Sequence, residues 1–104
     1  MSVGSTILSI ENLSQSVAAL LGDPAAFTSA YQTTLLTTIA NIQADVTGLS
    51  LTATQRTEIN TVLGQASGII SGATVGAITI QQLNTILDLL QLAVLKLNTF
   101  AFLG

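Results

Sequence analysis

The sequence predicts an all-α protein, an up-down-up-down four-helix bundle with helices over about 3–21, 24–47, 53–71 and 79–102. Three observations carry this. Apolar residues recur every three or four positions in four separate stretches. Capping residues and glycines punctuate those stretches. The connections between them are short, which favours antiparallel neighbours. The 104 residues suit a single helical domain, 1–104.

In segment one, Val3, Ile7, Ile10, Val17 and Leu21 share a helical face, widened by Leu13 and Leu20. Gly22 is placed to end it in the left-handed conformation that follows many helices. Asp23-Pro24 then offers a side-chain acceptor at the N-cap and a proline at the first helical position. Phe27, Tyr31, Leu35, Ile39, Ile42 and Val46 carry the second stripe, with Thr33, Thr34, Thr37 and Asn41 opposite. Threonine favours strands, but this spacing is helical rather than alternating. Gly48 is expected to end the segment.

Segment three opens with Thr52-Ala53-Thr54-Gln55, a capping box in which Thr and Gln satisfy each other's backbone N–H. Ile59, Val62, Leu63, Ala66, Ile69 and Ile70 form its stripe. It should weaken near Gly72, and residues 72–77 read as a connection. A second capping box, Thr79 to Gln82, starts segment four. There Leu83, Ile86, Leu87, Leu90, Val94, Leu97 and Ala101 make the longest stripe of the chain.

Charge is the unusual feature. Hydrophobic residues make up 49% of the chain, while only two basic and five acidic side chains are present. Ordinary soluble domains are about a quarter charged. Two cations exclude a nucleic-acid footprint. Without Cys there is no disulfide or thiolate chemistry, and without His the usual general base is missing. The carboxylates are scattered, and no Glu-x-x-His pair, calcium loop or phosphate loop is present. No catalytic residue, cofactor or metal site is therefore predicted. In an antiparallel bundle Asp45 and Arg56 would adjoin, and Glu11 and Lys96 would lie at similar heights. These charges either pair in that way or are simply solvated.

Two surfaces stand out as candidates for self-association. Gly64, Gly68, Gly72 and Gly76 recur every fourth residue, and Gly64, Ser67, Gly68 and Ser71 lie opposite the apolar stripe of segment three. Small residues let a second helix approach closely, although the same series could be drift in a low-complexity stretch. In segment four, Leu92, Leu95 and Phe102 intrude into the polar face of Gln81, Asn84, Thr85, Asp88, Gln91 and Thr99. They mark an interface, or Leu92 and Leu95 tuck beneath the terminal residues 100–103. If the glycine ridge meets the Leu92/Leu95 face of another copy, the contact is head-to-tail.

The sequence thus points to a non-enzymatic structural protein that partners itself as a helical homo-oligomer, filament or surface layer. Two alternatives are a membrane-active or lipid-binding bundle and a small protein-interaction module. Residues 62–80 are uncharged and of borderline hydropathy for a membrane span, yet capping boxes bracket or cut them. The opening MSVGSTILSIENLS has no basic stretch and does not read as a secretory signal. In composition the chain is similar to helical terminal domains of secreted fibre proteins, with no motif that assigns it to them. An extracellular or cell-surface assembly is the expected setting.

Overall fold

Four helices, α1 (Val3–Ala19), α2 (Ser29–Thr47), α3 (Ala53–Gly72) and α4 (Ile80–Asn98), account for most of the computed structural model, which describes residues 2–103. A 3₁₀ turn, Pro24–Ala26, precedes α2, and a π-helical turn, Thr99–Leu103, extends α4. Each helix packs on its two neighbours in the order α1–α2–α3–α4–α1, giving a rod of 40 × 19 × 19 Å. Contacts across the helix pairs fix the directions. Gln32 reaches the Ile70 carbonyl and Gln43 reaches that of Asn60, so α2 and α3 are antiparallel. Tyr31 meets Ser16, and Lys96 meets Glu58, so α1/α2 and α3/α4 are antiparallel too. This is the up-down-up-down bundle that the periodicity predicts.

The stripes meet as an aliphatic core. Ile10, Val17, Ile39, Val46, Ile59, Leu63, Ile70, Leu83, Leu90 and Leu97 are all buried. Such side chains contribute about 1.5–3 kcal/mol each when fully buried. The helix starts follow local chemistry. Thr52 and Thr79 both close reciprocal boxes with Gln55 and Gln82. Ser2 and Ser5 do the same for α1.

The start of α2 differs from the sequence expectation. Asp23 makes no side-chain cap, and α2 begins at Ser29 rather than Pro24. Thr28 is the cap instead, its Oγ1 accepting from the Tyr31 N–H at 3.1 Å. The reason is tertiary. Phe27 is completely buried at the end of the bundle. Its carbonyl accepts from the Gly76 N–H at 2.7 Å, tying the α1–α2 connection to the α3–α4 connection. The chain breaks the helix to put that ring in place and then recaps. Segment one is also shorter than predicted, ending at Ala19. Leu20, Leu21 and Asp23 donate to carbonyls three residues back, which tightens the end without a left-handed glycine. Gly48 does cap α2, again with negative φ. Gly76 alone among the described glycines has positive φ, at 78°, in the turn closed by the Ala77 N–H and the Thr74 carbonyl.

The charges find other partners than those suggested by their heights. Arg56 donates to the carbonyls of Leu49 and Leu51, not to Asp45. These carbonyls lie just beyond the negative end of α2, so the guanidinium still serves a helix terminus. Lys96 lies on the α3 flank of α4 and pairs with Glu58 at 4.0 Å rather than with Glu11. Both Lys96 and Glu58 are partly exposed, so this pair adds little stability.

Candidate association surface

The outer faces of the helices hold few ions, and hydroxyls do much of the polar work. Thr34, Thr38 and Thr47 on α2 each donate to the carbonyl four residues back, at 2.8–3.0 Å. Thr61 on α3 and Thr85 on α4 do the same. These hydroxyls are satisfied by their own helix while still accepting from water.

Against that background α4 is an exception. Leu83, Ile86, Leu90, Ala93 and Leu97 already fill its share of the core. Leu92, Leu95 and Phe102 are left outside with exposures of 40%, 57% and 68%. Leu92 and Leu95, three residues apart, lie side by side on the outer face of α4, and Phe102 follows on the π-helical turn, near Val3 and the α2–α3 connection. The terminal turn does not cover them. Phe100 turns toward Lys96, its ring 5.9 Å from Nζ. Other exposed apolar side chains are scattered: Leu8 on α1, Val75 in the α3–α4 connection and Ile80 at the start of α4.

The small-residue strip is divided between two sides of α3. A Cβ at Gly64 would sit 3.7 Å from Gln43 Nε2 of α2, an ordinary contact. Gly68 and Gly72 line a shallow depression with Gln81, Gln82 and Thr85 of α4, and a Cβ at either would meet nothing within 4 Å. Ser67 is half-buried, and Ser71 is exposed with its Oγ on the Gly68 carbonyl. None of these glycines is required by close packing inside one copy. Gly68 and Gly72 also share a side of the bundle with Leu92, whose helix position is one turn from the α3-bound Lys96.

Comparisons with protein-family models, with curated proteins and with solved structures gave no match.

The surface that residue patterns did not reveal lies between α1 and α2, the least closely packed neighbouring pair. A groove of about 690 Å³ runs there. Leu13 and Leu35 form its buried floor, while Ser9, Asn12, Thr34 and Thr38 stand along its walls. Tyr31 crosses one end, its hydroxyl donating to the Ser16 carbonyl. The available signal was the short side chains on the facing flanks of both helices, which cannot fill the space between them. No charged side chain lines the groove. Among the described residues, no three Asp, Glu, His or Cys side chains come together as a metal site.

The uncharged stretch 62–80 is not one helix. It is interrupted between Gly72 and Ile80 by the connection containing Gly76. The described helix long and apolar enough to cross a membrane is instead Ile80–Phe102, with mean hydropathy 1.4 and 22% of the span buried in the bundle.

Proposed function

We propose that this chain is a non-enzymatic structural protein that associates with copies of itself, as a subunit of a homo-oligomer, filament or surface layer. The supporting observation is the exposure of Leu92 and Leu95 on a helix whose core contribution is complete without them, together with that of Phe102 on the turn that follows it. A neighbour that covers the area they still expose gains about 25 cal/mol per Å² of apolar surface. The sparse charge fits the same role. With five acidic and two basic side chains, copies repel one another weakly and few ions are desolvated on contact.

Light scattering over a concentration series tests the reading. The wild type is expected to grow beyond 10.7 kDa with concentration, and a Leu92→Gln/Leu95→Gln variant to remain monomeric. A wild type that stays monomeric throughout removes this function. It would leave the alternative of a small module for a different protein partner.

The apolar span Ile80–Phe102 supports a second reading, a bundle that opens onto lipid. Flotation with liposomes separates the two. A self-associating subunit stays at the bottom of the gradient, whereas a lipid-binding bundle rises with the vesicles.

A further inference from the structure

We infer that α1 and α2 meet in a seam that parts while the other helix pairs stay closed, so that the bundle opens along one line before it unfolds. The inference concerns the free protein and depends on neither reading of its function.

Hydrogen bonds between helices are unevenly shared. From α2 to α3, Gln32 Nε2 donates to the Ile70 carbonyl at 2.9 Å. Further along, Gln43 Nε2 donates to the Asn60 carbonyl at 3.1 Å, and Asn60 Nδ2 returns a bond to the Gln43 carbonyl at 3.3 Å. Amides thus pin this pair at two heights. Between α3 and α4, Lys96 reaches Glu58, and α1 and α4 pack as closely as these two pairs. Between α1 and α2 the described residues supply one such bond, from the Tyr31 hydroxyl to the Ser16 carbonyl. These two helices also pack least closely of the four pairs.

The hydroxyls along the seam turn away from it. Ser9 Oγ donates to the Ser5 carbonyl and Ser16 Oγ to that of Asn12. On the facing wall, Thr34 and Thr38 donate to the carbonyls of Ala30 and Thr34, and Thr28 accepts from the Tyr31 N–H. Each of these bonds stays within its own stretch of chain, so separation of the helices breaks none of them. Thr38 lies seven residues beyond Tyr31. About 10 Å of the seam therefore runs past the Tyr31 bond before the groove ends.

The costs of opening differ accordingly. Parting α1 from α2 wets Leu13 and Leu35, now 3% and 2% exposed, and breaks the Tyr31 bond. Water then enters between Ser and Thr side chains whose donors are already satisfied. Parting α2 from α3 wets apolar surface as well, and it also breaks the bonds of Gln32, Gln43 and Asn60. The α1–α2 seam is the one that opens locally, at a free energy below that of global unfolding.

The cysteine-free sequence lets a single thiol report on each seam. Leu35→Cys and Leu13→Cys place it on the floor of the α1–α2 seam, and Val62→Cys places it on the α3–α4 side, beside Lys96. Asn12→Cys, exposed on the groove wall, sets the unprotected rate. In dilute protein with a bulky maleimide, Leu35→Cys and Leu13→Cys are expected to label about ten-fold or more faster than each variant's own global unfolding in urea allows, with a weak dependence on urea. Val62→Cys is expected to label only through global unfolding. Tyr31→Phe, which keeps the ring and removes the bond, is expected to speed labelling of Leu35→Cys about three-fold or more. Floor thiols that label only through global unfolding overturn the inference. Equally fast labelling of Val62→Cys overturns it too, since the whole bundle would then breathe. A Leu35→Cys rate equal to that of Asn12→Cys also overturns it, by showing a seam that is open at rest.

Discussion

The outer surfaces of α2 and α4 are built from the same uncharged vocabulary and come out as opposites. On α2 the exposed face carries hydroxyls that return to their own backbone, as Thr47 does to the Gln43 carbonyl. Water can wet that face at no cost in unpaired donors. On α4 the outward positions include Leu92, Leu95 and Phe102, which water cannot satisfy. Low charge alone therefore does not make a helix adhesive. What distinguishes α4 is apolar area left over after the core has been filled.

Substitutions on the two helices should behave differently. The largest effect is expected inside α4. Leu90 is fully buried, and Leu90→Ala should cost about 2–5 kcal/mol in urea unfolding through the cavity it leaves. Leu95→Ala, five residues on, should change monomer stability by no more than about 0.5 kcal/mol. Equal losses at the two positions would mean that Leu95 belongs to the core and that no stripe exists. Next in size is the α4 cap. Thr79 accepts from the Gln82 N–H at 3.0 Å, and Thr79→Ala should destabilise the protein by about 1 kcal/mol, read from the same unfolding curves. Gly68→Ala should act in the opposite direction. A Cβ there meets no atom within 4 Å, so helix propensity should stabilise a single copy by about 0.8–1 kcal/mol. A destabilised monomer would mean that Gly68 has a close neighbour within the bundle, against the open space around it. The smallest effect is expected on α2, where Thr34→Ala should move the unfolding midpoint by under about 0.5 kcal/mol.

How much of this was legible depends on the range of the interactions. Three helices begin where short-range chemistry places them. The Thr52–Gln55 and Thr79–Gln82 boxes need only four consecutive residues to form. Asp23-Pro24 is an equally good local signal, and it failed because burying Phe27 between two connections outweighed one cap. The partners of Arg56 and Lys96 were illegible for a related reason. Matching heights along a bundle says nothing of which flank a side chain occupies, and Lys96 is turned toward α3. Leu92, Leu95 and Phe102 could be picked out because they interrupt a polar face within one helix. The α1–α2 groove could not, since it arises only when the short side chains at Ser9, Asn12, Thr34 and Thr38 are brought together.

The proposed adhesion through α4 is apolar, and ionic strength separates it from association by charge. Surface ion pairs are screened over about 10 Å at 0.1 M salt and about 3 Å at 1 M. Sedimentation velocity of the wild type at both salt concentrations should show oligomers that persist or grow at 1 M, while Leu92→Gln/Leu95→Gln sediments as monomer in both. Oligomers that dissolve at 1 M salt, or that survive the double substitution, would contradict it.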